Sequence, residues 1–200
     1  MAIIVDKVQK RKNIALACKD LFVQNGIKDL TISQIAQTAG IGKGSLYDYF
    51  KNKDDIVFEI VDILMQEHNI IKEKKILEAT TTKEKIKVFF NFFYSHEDIE
   101  LRQLYKEFVS ISLVTPETAM IEHHTECFDN YYSWMENIIN EGIAKNEIIP
   151  STLKLVKGLF VLGNGIFIAS SVTNSVTNVQ KDIDDYIDAL FEFIEVKNVS

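Results

Sequence analysis

The sequence predicts an all-α fold of about nine helices, with a small N-terminal domain over residues 1–53 and a larger helical domain over 54–200. Three observations predict it. Apolar residues recur at three- and four-residue spacing along most of the chain. No alternation with period two persists anywhere. Only Pro116 and Pro150 interrupt 200 residues, so long helices are permitted.

The first helix is marked by Ile14, Cys18, Leu21 and Phe22, which fall on one helical face. Gly26 follows, where a left-handed cap residue is cheap. Thr31 and Gln34 form a capping box that opens a second helix. Its apolar face is Ile32, Ile35, Ala36 and Ala39, and Gly40 ends it by turning the chain at positive φ. The stretch Gly40-Ile41-Gly42-Lys43-Gly44-Ser45-Leu46-Tyr47-Asp48-Tyr49-Phe50 then predicts a short third helix from about Lys43. Leu46 and Phe50 are its inward anchors, so Lys43, Ser45, Tyr47, Asp48 and Tyr49 cannot all face inward with them. Asn52 caps a fourth helix, and Asp54 and Asp55 complement the positive end of its dipole.

Two short helices joined across a tight turn form a helix-turn-helix, whose second helix fits a DNA major groove. The charge agrees. Residues 1–53 carry nine Lys/Arg and four Asp/Glu, whereas the whole chain has a net charge of -7. A basic segment on an acidic chain points to a polyanionic partner. Lys43, Tyr47, Tyr49 and Lys53 are expected on phosphates, with Thr31 and Ser33 at the start of the second helix. Gly44 and Ser45 are expected near base edges.

Residues 11–56 resemble the DNA-binding domain of the TetR family of bacterial transcriptional regulators. The resemblance rests on Arg11, Ile14, Ala17, Leu21-Phe22, Gly26, Thr31, Ile35-Ala36, Ala39-Gly40-Ile41, Gly44, Leu46-Tyr47, Tyr49-Phe50 and Lys53. It implies a homodimer on a double-stranded, roughly palindromic operator, repression, and a small-molecule pocket among the middle helices. Two departures stand out. Gly42 occupies a position where the family often has serine or threonine, which puts a side-chain cap or phosphate contact in doubt. Asp48 places an anion on the reading helix.

Beyond residue 53 a long helix is predicted to about Glu78, with Lys72 to Lys75 reading as a solvated stretch and Thr80-Thr81-Thr82 as a break. An aromatic helix follows at 86–94, then one carrying Leu101, Leu104, Tyr105, Phe108 and Val109. Thr115-Pro116 reads as the start of a helix that runs to about Lys145, with Asn146 as a left-handed cap. Pro150-Ser151 starts the next, which is apolar on nearly every side and is therefore expected to be buried. The last helix presents Ile183, Tyr186, Ile187, Leu190, Phe191 and Ile194 as one stripe. These two final helices can build a four-helix bundle with a second copy. Leu159, Phe160, Leu190, Phe191 and Ile194 are the expected interface.

Candidate effector-lining residues are Phe89, Phe93, Tyr105, Phe108, His124, Phe128, Tyr131, Trp134, Phe160, Asn164 and Phe167. With few basic residues that look buried, the expected effector is small, hydrophobic or aromatic, and neutral or cationic. No cofactor and no metal site is expected, because His123 and His124 are adjacent and point about 100° apart on a helix. No nucleophile elbow, phosphate loop or CxxC is present, so an enzyme is not expected. The apolar run 158–172 contains Asn164 and three glycines, and no signal peptide is read, so no membrane partner and a cytoplasmic location are expected. The alternative reading is a helical small-molecule sensor or scaffold of the same fold that does not act through specific DNA binding.

Overall fold

The computed structural model describes residues 2–114 and 118–197. Its helices in chain order are α1 (Ala2–Asn25), α2 (Ile32–Thr38), α3 (Lys43–Tyr47), α4 (Lys53–Glu78), α5 (Thr82–Phe90), α6 (Ile99–Val114), α7 (Thr118–Ala144), α8 (Val156–Val172) and α9 (Val179–Ile194). Short 3-10 turns occupy Asn91–Phe93, His96–Asp98 and Pro150–Leu155. Among the described residues the only β pairing is an isolated antiparallel bridge between Ile148 and Glu195. The chain is all-α, as its spacing predicts. The helix start expected at Thr115-Pro116 lies outside the described residues.

Two compact units arise. The first comprises residues 1–69 and 99–117; the second comprises 70–98 and 118–200. In the first unit, Ile14, Cys18 and Phe22 of α1 meet Ile35 and Ala36 of α2, Leu46 and Phe50 around α3, and Ile56, Val57 and Ile60 of α4. Helices as short as α2 and α3 do not persist alone in water. Burial of these anchors, each contributing about 1.5–3 kcal/mol for a large side chain, makes them stable here. α6 belongs to this unit although it is distant in sequence. The Glu107 carboxylate accepts from Ile27 N–H at 3.1 Å, and Gln103 donates to the Val23 carbonyl at 2.6 Å.

The core of the second unit gathers Ile86, Phe89 and Phe90 of α5, Met135, Ile138 and Ile139 of α7, Val156, Leu159 and Phe160 of α8, and Ile183, Ile187, Phe191 and Ile194 of α9. Gly163 is required by a close approach. A Cβ there would lie 2.6 Å from the Phe93 ring and 2.7 Å from the Phe90 ring. Backbone bonds tie the end of α9 to the α7–α8 connection: Ile149 N–H to the Ile194 carbonyl and Val196 N–H to the Glu147 carbonyl, both at 2.9 Å.

Three expectations need correction. The break at Thr80–Thr82 separates α4 from α5, but the aromatic helix expected at 86–94 already starts here, at Thr82. Thr81 Oγ1 accepts from Glu84 N–H at 3.2 Å, while the Glu84 carboxylate accepts from the Thr80 and Thr81 amides. This capping box opens α5 ahead of the aromatic run, and the helix tightens to a 3-10 turn at Asn91. Lys72 is buried, 5% exposed, and is no part of a solvated stretch. It stands four residues before buried Ile76, on the same helical line. Finally, α8 is not buried all round. Leu159, Phe160, Gly163 and Phe167 face the core, whereas Val161, Ile168 and Val172 are exposed.

Candidate DNA interface and effector site

The turn ahead of α3 follows from its glycines. Gly40 adopts φ +66°, as does Gly26 at +67° after α1. Gly42 caps α3 in extended conformation and makes no side-chain cap bond, as its lack of a hydroxyl dictates. Thr31 forms the expected capping box with Gln34 on α2. Leu46 and Phe50 are buried, while Lys43, Gly44, Ser45, Tyr47 and Asp48 are exposed. Thr31 and Ser33 are exposed as well. One surface of the helix-turn-helix is thus left without a covering element of its own unit, and its polar groups belong to α3 and the start of α2.

Arg11 holds the base of this surface. Its Nε donates to the Glu59 carboxylate at 2.6 Å, its Nη1 donates to the Tyr49 carbonyl, and its guanidinium lies 4.2 Å from the centre of the Phe50 ring. Tyr49 is half-buried, with the Lys7 ammonium 6.0 Å from its ring. Lys7 is a cation beside the surface that spacing alone did not single out, because the contact joins α1 to the end of the α3 turn.

Lys53 does not reach outward. Its ammonium donates to the carbonyls of Ile27, Lys28 and Leu30 at 2.7, 2.9 and 3.0 Å. It closes the α1–α2 connection from behind, and all three of its protons are engaged there. The expectation of a phosphate contact is replaced by a positioning role, since a carbonyl cage fixes the ammonium where it lies.

In the second unit, the sequence-predicted aromatics divide. Phe89, Phe128, Tyr131, Trp134 and Phe160 come together. Tyr131 stacks on Trp134 at 6.3 Å and on Phe160 at 6.2 Å, and Phe160 meets Phe128 edge-on at 4.8 Å. Phe89 stands nearly perpendicular to Tyr131 and Trp134. Phe93 and Phe167 make a second pair at 5.7 Å. Asn164 Nδ2 donates to its own helix, to the Phe160 carbonyl, at 3.5 Å. His124 is half-buried, and burial and the neighbouring His123 together lower its pKa. Tyr105 and Phe108 belong to the first unit instead, where they stack on each other and Phe108 meets Phe58 edge-on.

The residue that sequence reasoning missed is Lys72. Its ammonium lies 5.1 Å from the centres of the Phe89 and Tyr131 rings and 5.7 Å from that of Trp134. Burial lowers its pKa from 10.5 to about 7, against a smaller opposing effect of Asp98. The expectation that few basic residues of the middle helices are buried thus overlooked Lys72, which lies among the rings. The available signal was Ile76, one helical turn further on; the run Lys72-Glu73-Lys74-Lys75 masked it.

The expected interface residues also move. Leu159, Phe160, Phe191 and Ile194 are buried inside the protomer, and Leu190 is partly buried against the same core. The apolar groups that α8 and α9 leave exposed are Val161, Ile168, Val172, Tyr186 and Phe193, the last 80% exposed. Gly158 and Gly165 fall on the Val161–Ile168 line, and a Cβ on either would meet nothing within 4 Å. A stripe spaced 158, 161, 165, 168, 172 has the three-and-four step of helix packing.

Residues 14–60 match the family model described as bacterial regulatory proteins, tetR family. The chain is 28% identical over 185 residues to a fatty acid metabolism regulator protein from Bacillus subtilis, covering 88% of each. It is 30% identical over 129 residues to the transcriptional regulator QacR from Staphylococcus aureus, covering 64% of this chain and 58% of that one. The fold matches a TetR-family transcriptional regulator from Cytophaga hutchinsonii with a TM-score of 0.77 at 19% identity, covering 96% of this chain and 98% of the other. These relatives are transcriptional regulators.

Proposed function

Since this chain belongs to the TetR family of DNA-binding transcriptional regulators, we propose that it is a cytoplasmic homodimeric repressor, released from a palindromic operator by a small hydrophobic effector. One observation carries the reading: α3 exposes Lys43, Gly44, Ser45 and Tyr47 while Leu46 and Phe50 anchor it from beneath. Such a helix, held rigidly and bare on one side, is suited to a major groove. The reading domain, residues 1–53, lies within the first unit, and the second unit binds effector and partner. Lys43, Tyr47 and Tyr49 contact phosphate, with Thr31 and Ser33 at the start of α2. Gly44 and Ser45 lie against base edges. Lys53 supports this surface without touching DNA.

Dimerisation follows from the bare apolar faces of α8 and α9. One short reading helix covers few base pairs, and a two-fold pair doubles the contact. The segment Pro150–Val172 is by length and composition apolar enough to cross a membrane. Its inner side already packs on α5 and α7, and its outer side has the spacing of a helix–helix seam, which favours a second copy as its cover.

The ring cluster around Phe89, Tyr131, Trp134 and Phe160 is the effector site. The relative named for fatty acid metabolism makes apolar chains the first ligands to test. The effector favours a dimer geometry whose reading helices no longer match the operator, and it must bind that state more tightly to shift the equilibrium.

Selection of duplexes from a random pool, followed by gel shift, tests the reading. An inverted repeat should emerge. Lys43→Ala should weaken binding to all selected duplexes alike and lower the salt slope by about 1 per half-site. Enrichment of no sequence over bulk DNA by the folded wild-type protein would favour the alternative, a helical sensor of the same fold that does not read DNA.

A further inference from the structure

Lys72 is the most unusual charge in the second unit. It is 5% exposed, and its ammonium lies over ring faces. The charge of Asp98 partly offsets the effect of burial on it. The groups around the nitrogen are the rings of Phe89, Tyr131 and Trp134. Ring faces stabilise a buried cation, but they accept its N–H groups poorly. An acceptor brought alongside would add what the rings supply poorly.

The surroundings say what shape that something has. From Trp134 the rings continue through Tyr131 and Phe160 to Phe128 at successive centre-to-centre steps of 6.3, 6.2 and 4.8 Å. Tyr131, Trp134 and Phe128 are only half-buried, so part of their ring surface reaches solvent. A buried cation thus stands at the Trp134–Tyr131 end of an apolar row, while the exposed Lys157 lies 6.0 Å from the Phe128 ring at the other. The place that a cationic ligand would take among the rings is already filled by Lys72 itself.

We propose that Lys72 is the anchor for the carboxylate of a singly charged amphiphile, whose hydrocarbon body lies along the Trp134–Tyr131–Phe160–Phe128 row. This rests on the effector reading above and specifies its ligand class. A carboxylate accepts the N–H groups that ring faces take poorly, and a charge-assisted bond is strong. A single charge suits one lysine with Asp98 nearby, whereas a dianion would remain partly uncompensated. Burial lowers the pKa of Lys72, and a carboxylate beside it would raise it again.

Three probes that differ only in the headgroup test the assignment: decanoate, decanol and decyltrimethylammonium, each below its micelle concentration. Trp134 is the single tryptophan of the chain, so its emission reports occupancy of the box directly. Binding is measured on the full-length protein, and release of the selected operator is followed in parallel. Decanoate should bind the wild type about tenfold or more tighter than decanol, with decyltrimethylammonium weakest. In Lys72→Met, decanoate should lose that advantage while decanol binds undiminished. Equal binding of decanoate and decanol to the wild type, or preference for the ammonium, overturns the role of Lys72 and leaves the hydrophobic-effector reading standing. Failure of all three to move Trp134 emission or release the operator overturns both.

Discussion

Two lysines show how little a residue's type says about its task. Lys53 sits where a basic residue near a reading helix would be expected to hold phosphate, yet it donates to three carbonyls of the α1–α2 connection. Lys53→Met should therefore leave the salt slope of operator binding unchanged. It should lower the melting temperature by about 3–10 °C, because carbonyls of a turn lose their donor. A reduced slope with an unchanged melt would restore the phosphate role. Lys72 makes the opposite contribution. Its pKa falls from 10.5 to about 7 on folding, so between those values the unfolded chain binds more protons than the folded one. By linkage, this group makes stability rise as pH increases from about 7 to 10.5, and its charged form costs stability below that window. Lys72→Met should stabilise the protein at neutral pH and flatten the stability–pH curve across the window relative to wild type. Chemical denaturation at several pH values reads the difference, and parallel curves for the two proteins would contradict it.

At the scale of the element, local chemistry decides where helices begin and tertiary packing decides what they face. The capping boxes at Thr31 and Thr81 and the side-chain cap of Asn178 on Lys181 N–H all act within three residues. The Thr31 box was legible from spacing; the Thr81 box was equally present but hidden among three threonines. Gly163 illustrates the other kind of constraint, since its need for no side chain comes from Phe90 and Phe93 more than sixty positions earlier. Gly163→Ala should cost about 1–3 kcal/mol, a fall of roughly 2–12 °C in melting temperature, because both rings must shift in a packed core. Gly165→Ala has open space around the added methyl and should leave the fold of the protomer intact. Comparison of the two melts at matched concentration checks the assignment, and equal melts would refute it.

For the whole molecule, the question is which apolar surface a second copy covers. Val161→Asp combined with Phe193→Asp alters only groups that the protomer leaves exposed. Light scattering should find a folded monomer that fails on a full palindrome. Ile194→Asp, by contrast, places a charge in the core and should unfold the protein. An intact dimer of the double variant would move the interface elsewhere. The sequence by itself determined the helical class, the Gly26, Gly40 and Asn146 turns at positive φ, and the inward anchors Leu46 and Phe50 of the reading helix. Each of these depends on neighbours within about four residues, so spacing and side-chain chemistry suffice to specify them. Only the tertiary structure decided that Lys72 is buried among rings, that Lys53 faces inward, and that one side of α8 is core while the other is bare. Periodicity tells which residues share a helical face, but what covers that face is supplied by segments far away in the chain.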